Sequence, residues 1–258
     1  MQFDEKLSRR LEVMYSAPDV LGRRKAVLQA LAPRSAERII DVGSGPGLMA
    51  AELADVVGQR GKVCGVDTSE SMITLSSARL AGRPWLEFQL SDATALPYPE
   101  QSFDAAVCVQ VLEYVKDIAA ALSELYRVLR PSGRAVIVDT DWDSIVWHAS
   151  DLNLMNRILR AWDEHLHDPY LPRTLSNKLQ AAGFVVGQRS VISMFNPSYD
   201  ENAISGGLIE IITSFVPGRQ NLSEQEVKRW ASDLRALGER GEYFFSLTQF
   251  LFLVSKPG

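Results

Sequence analysis

The sequence is short of the residues that build metal centres and disulfide frameworks. Its 258 residues include 2 cysteines and 3 histidines. Cys64 and Cys108 both fall inside apolar runs, which marks them as small core residues rather than a disulfide pair or metal ligands. His165 and His167 alternate near the end of an amphipathic stretch, too thin a pattern for a metal site, and no metal is expected. No stretch approaches the roughly 18 consecutive apolar residues of a membrane span. No basic block interleaves with aromatics and the net charge is −5, so nucleic acid is not an expected partner. A P-loop lysine and a G-x-S-x-G elbow are both missing, which argues against phosphate-loop and serine-hydrolase chemistry. Repeats and low-complexity runs are absent too. The first residues, Met1 to Lys6, are polar and form no signal-peptide apolar region. A cytoplasmic protein that does not engage membrane is the expectation.

With 46% hydrophobic and 23% charged residues, the chain suits one globular domain with an added lid. Its organising stretch is residues 38–47, Arg-Ile-Ile-Asp-Val-Gly-Ser-Gly-Pro-Gly. Ile39, Ile40 and Val42 read as a strand buried on both faces. Gly43, Ser44, Gly45 and Gly47 then form a tight turn, and an apolar-periodic helix begins at Leu48. Strand, glycine turn and helix together aim backbone N–H groups at a ligand. Glycine suits the turn because a Cβ would hold the ligand off and resist positive φ.

The turn has a dinucleotide-like G-x-G, but its third glycine arrives one residue early, and short glycine turns also close ordinary loops. Four later strands decide how to read it. Val63 to Val66 ends in Asp67, about 20 residues past the turn, where a carboxylate can accept from ribose hydroxyls or serve as a helix-start residue beside Thr68. Leu86 to Leu90 leads to Asp92 and Ala93. Phe103 to Val109 ends at Gln110, and Arg134 to Asp139 follows a strong helix over residues 118–129. Strict alternation of strand and helix implies parallel units with right-handed crossovers, and ligands bind at the carboxyl ends of such strands.

These motifs resemble class I S-adenosylmethionine (SAM)-dependent methyltransferases of the UbiE-like, methyltransferase type 11 group. Asp41 with the glycine turn is similar to motif I, and Gly65 to Met72 to motif II. The passages Asp92 to Asp104 and Glu124 to Asp139 also follow the family pattern. The resemblance covers roughly residues 37–140. It implies an α/β, Rossmann-like doubly wound sheet of seven strands, mostly parallel with an antiparallel last strand, plus a helical lid. It implies SAM as cofactor, held by Tyr15, Asp41, Gly43, Ser44, Gly45, Gly47, Asp67, Thr68, Met72, Asp92, Ala93 and Gln110. The activity implied is methyl transfer to a small-molecule acceptor through an N, O or C nucleophile. A non-catalytic SAM-fold binding protein and a nicotinamide oxidoreductase are the alternatives; the glycine spacing and the lack of a Tyr-x-x-x-Lys pair speak against the latter.

The expected organisation is an N-terminal helical cap over residues 1–36, in which Leu7, Leu11 and Met14 mark one helix and Val20 to Leu31 a second. A core follows over 37–195, with an extra helix near 150–168. A lid insertion spans 196–242, and a last strand, 243–258, completes the core. Past the fifth strand, Asp143 and His148 lie in a polar-aromatic run with Trp142 and Trp147, where they could form an acceptor pocket as catalytic base candidates or be structural.

Overall fold

The computed structural model describes Tyr15 and residues 17–258; the expected helix through Leu7, Leu11 and Met14 lies outside the described residues. Helix α1 (Pro18–Leu31) precedes β1 (Arg38–Val42), α2 (Leu48–Val57), β2 (Lys62–Asp67), α3 (Glu70–Ser76) and β3 (Leu86–Leu90). Next come β4 (Phe103–Val109), α4 (Ile118–Val128), β5 (Leu129–Thr140), β6 (Val146–Trp147), α5 (Leu152–Asp163) and α6 (Pro172–Ala181). The chain ends with β7 (Val185–Asn196), α7 (Ile204–Phe215), α8 (Glu224–Glu239) and β8 (Phe245–Ser255).

The strand order is β3-β2-β1-β4-β5-β8, with β7 on β8 as well. Pairings from β3 through β5 are parallel, and β8 runs antiparallel to both β5 and β7. The chain steps outward from β1 to β3 and returns to lay β4 beside β1. The reversal therefore falls at the β1/β4 tips, where a doubly wound sheet opens its ligand crevice.

Period-two alternation sorts side chains to the two faces of the sheet. Ile39, Val63, Val107 and Val138 face α1 and α2, whereas Ile40, Val66, Cys108 and Ile137 face α4 and α6. Both free cysteines are buried among these strand residues. A third core sits beyond the strand tips. It joins Ile158 and Trp162 of α5, Ile209 and Ile212 of α7, and Trp230 and Leu234 of α8 to Trp142, Trp147 and Phe245. The residues expected to form an extra helix and a lid thus share one apolar core, which also takes Ala17 and Val20 beside α1. Asp19 ties the two parts together. Its Oδ2 accepts from Asn196 Nδ2 at 3.1 Å and from the Ile204 N–H at 3.2 Å.

Two boundaries are corrected and one short strand is added. Among the described residues the seven expected strands are joined by Val146–Trp147, which pairs with Phe245–Ser246 of β8. A two-residue strand carries no periodicity of its own. Next, β5 begins at Leu129, not Arg134: Leu129 pairs with Phe103, and the register then shifts before Arg134 meets Ala105, with Ser132 at φ +62° between them. The extra helix stops at Asp163 rather than running to residue 168.

Candidate active site

A cavity of about 600 Å³ opens at the carboxyl ends of β1, β2, β3 and β4, within the usual size range for small-molecule sites. Eleven of the twelve residues expected to hold a cofactor line it: Tyr15, Asp41, Gly43, Ser44, Gly45, Asp67, Thr68, Met72, Asp92, Ala93 and Gln110. Gly47 is the exception. It begins α2 at φ +78°, and a Cβ there would come within 2.6 Å of Phe88 Cζ. It packs helix against sheet rather than facing the cavity, the role of a third glycine in such turns.

The turn is held by β2 and by its own carboxylate partner. The Gly43 and Ser44 N–H groups donate to Val66 O at 2.8 and 2.9 Å. Asp67 accepts from the Gly45 N–H and the Ser69 N–H, each at 2.9 Å. Burial nonetheless pushes the Asp67 carboxyl above its ordinary range, against those backbone donors. Asp41 lies deeper, at 2% exposure with one oxygen unpartnered among the described residues, and burial followed by the Asp67 charge raises it to about 7. At Gly45, φ is +51° and the position where a Cβ would stand is open, with Tyr15 Cε2 3.9 Å away as its neighbour. Space above a positive-φ turn is what close approach of a ligand to backbone requires. Asp92 takes Thr94 N–H at 2.8 Å and Thr94 Oγ1 at 2.7 Å, which fixes its carboxylate at the β3 tip.

Sequence reading missed two arginines. Arg23 and Arg24 of α1 are 6% and 7% exposed and both line the cavity. Arg24 pairs with Glu52 at 2.7 Å and also donates to Tyr15 O. Arg23 donates to Gln110 Oε1, leaves its Nε without a partner among the described residues, and lies 5.9 Å from the Tyr15 ring centroid. A signal was present, since Val20, Arg24, Val27 and Leu31 follow one helical stripe.

Gln110 begins a buried polar chain. It adopts φ +55° past the end of β4, and its Nε2 donates to Thr140 Oγ1 at 2.8 Å. Gln249 Nε2 donates to the same oxygen at 3.1 Å. The Thr140 N–H donates to Glu113 Oε2 at 3.1 Å, and Trp142 Nε1 donates to that oxygen at 3.3 Å. Glu113 is completely buried, and burial lifts its carboxyl to about 7 despite those donors. Asp139, equally buried, is pushed well above the carboxylate range by burial and then by the Glu113 charge.

Beyond Gln110 the lining becomes aromatic and aliphatic, with Tyr114, Trp142, Trp162, Ile204, Leu208 and Leu247. Behind it His165 stacks on Trp162 at 3.6 Å between centroids, and burial pushes the imidazole down to about 4. The proposed catalytic pair fares differently. His148 and Asp143 are exposed and neither lines the cavity, which corrects the expectation that they flank an acceptor. Strand alternation explains His148: Trp147 turns inward, to donate to Tyr243 Oη at 3.2 Å, so the next side chain turns out. Asp143 is drawn away by Arg173, 2.8 Å distant, which also grips Asp141 at 2.7 Å. No group of three metal-ligating side chains occurs among the described residues, and none of their helices is long and apolar enough to cross a membrane.

Comparison with known proteins agrees with this geometry. A methyltransferase domain family matches residues 40–137. The chain is 33% identical over 183 residues to the demethylmenaquinone methyltransferase of Clavibacter sepedonicus, covering 62% of this chain and 71% of that one. It is 31% identical over 234 residues to a 37.1 kDa protein in transposon TN4556 of Streptomyces fradiae, covering 88% of this chain and 65% of that one. Over 122 residues it is 38% identical to the 2-phytyl-1,4-naphtoquinone methyltransferase of Synechococcus elongatus, covering 46% of this chain and 52% of that one. The chain thus spans between about half and 71% of these relatives. Among solved structures, the Haemonchus contortus phosphoethanolamine N-methyltransferase 2 complex with S-adenosyl-L-methionine superposes with a TM-score of 0.65 at 19% identity, covering 100% of this chain and 58% of that one. The [4+2]-cyclase SpnF superposes at 0.60 and 22% identity, covering 93% and 81%. The fold is a doubly wound α/β sheet with its cavity at the strand tips. The chain belongs to the class I SAM-dependent methyltransferases.

Proposed function

We propose that this chain transfers the methyl group of SAM to a small-molecule acceptor bound beyond Gln110. The observation that carries the reading is the convergence on one cavity of residues from four strand tips, among them Asp41, Gly45, Asp67, Asp92 and Gln110. The residues fit the cofactor. Open space above Gly45 suits close approach of a ligand, and the unpartnered Asp41 Oδ2, Ser44 Oγ and Arg23 Nε are buried polar atoms around the same cavity. In this reading Asp67 accepts from the ribose hydroxyls, Asp92 faces the adenine, and Arg23 takes the methionine carboxylate. SAM, when bound, supplies a methyl group on a sulfonium, open to in-line displacement.

The protein's part is then positioning and exclusion of water. Alignment alone can contribute up to roughly 7–11 kcal/mol to a two-reactant step. The core shared by α5, α7 and α8 covers the tips as the lid over the acceptor half. The test is transfer of radiolabel from methyl-labelled SAM to a metabolite extract. Label in a small organic product is the expected result. SAM binding without label transfer would favour a binding role, and no SAM binding would sink the proposal.

A further inference from the structure

Tyr114 stands where the two halves of the cavity meet. It closes the 3-10 turn Leu112–Tyr114 that follows β4, next to the buried Glu113. Tyr114 is 43% exposed and lines the cavity, and burial is the main cause holding its phenol well above the ordinary range. Tyr15 lies close enough to push the same phenol further up. The ring is braced edge-on by His165 at 5.7 Å between centroids. Its hydroxyl makes no hydrogen bond among the described residues, so a protonated donor is free to serve a ligand.

The walls around Tyr114 are largely aromatic and aliphatic. Trp142 and Trp162 wall this half, and the indole N–H of Trp142 is already engaged by Glu113. On the cofactor side Arg24 pairs with Glu52, and Arg23 donates to the neutral Gln110. His165 is uncharged behind the wall. Lys116, exposed and two residues on, lines the same cavity, and a free phenol O–H takes a lone pair rather than another donor.

Resting on the methyltransferase reading, we infer that Tyr114 is the specificity-determining residue of the acceptor half: its hydroxyl donates to an oxygen or nitrogen lone pair on a planar ring held against Trp142 and Trp162. The experiment uses the full chain with S-adenosylhomocysteine bound and follows tryptophan fluorescence. The probes are coumarin (a flat ring with a carbonyl), naphthalene (flat, with no acceptor atom) and choline. Tyr114→Phe is expected to weaken coumarin about tenfold, the loss of one neutral hydrogen bond, and to leave naphthalene and S-adenosylhomocysteine within about twofold. Equal effects on coumarin and naphthalene, no binding of either ring to the unaltered chain, or tighter binding of choline than coumarin would each overturn it. If S-adenosylhomocysteine itself fails to bind, the methyltransferase reading falls. The same probe comparison on the chain alone then still decides the role of Tyr114.

Discussion

Trp142 and Glu113 are joined by a hydrogen bond from indole Nε1 to carboxylate Oε2 at 3.3 Å, and that oxygen also accepts the Thr140 N–H at 3.1 Å. Through Thr140 the bond continues to Gln110 and from there to Arg23. A fully buried carboxylate therefore links the aromatic wall of the cavity at Trp142 to Gln110 and Arg23.

This placement has a pH consequence. Glu113 is lifted from 4.5 to about 7 in the folded protein, so the native state holds its proton more tightly than the unfolded chain. The stability it contributes is complete below about 4.5 and is lost as pH rises through about 7. Glu113→Gln should match the unaltered protein near pH 5 and unfold at a higher temperature at pH 8. Thermal melts across that range check it; a lower melting temperature for the variant at pH 8 would show that the carboxylate form is the favoured one.

The two glycines of the turn should separate stability from binding. Gly47→Ala forces a side chain to φ +78° and into Phe88, a loss of about 2–4 kcal/mol from strain and overpacking. Gly45→Ala meets open space, so it should melt nearer the unaltered protein and lose SAM affinity through obstruction. Denaturant unfolding and calorimetric binding read the two effects. A reversed pattern would mean that the wrong glycine has been assigned to packing.

His148→Ala and Asp143→Ala should leave methyl transfer within about twofold of the unaltered rate, because both side chains lie outside the cavity. Steady-state rates at saturating SAM check this. A tenfold fall in either would return that residue to the site.

Much of the nucleoside half was readable in the residues themselves. Strands β1, β2 and β4 are short apolar runs buried by parallel neighbours, β3 alternates along the sheet edge, and each ends in a polar or glycine signal at its tip. Such patterns are local. The acceptor half depends on contacts far apart in sequence, and these leave little trace. Val146–Trp147 is recognisable as a strand through β8, about 100 residues later. Arg23 resembles a solvated helix residue until Gln110 is brought beside it. Glu113 looks like one more carboxylate in an exposed turn, and its burial follows from β5 ending against it. His148 drew notice for its aromatic company, but the alternation that turns it outward needed the pairing of β6 to be seen.

The most direct test of the account is calorimetric titration of S-adenosylhomocysteine into the purified chain and into Asp67→Ala. The account predicts one site per chain, more than tenfold weaker in Asp67→Ala while its circular dichroism is preserved. Equal affinity in the two proteins, or no heat with the unaltered chain, would contradict it.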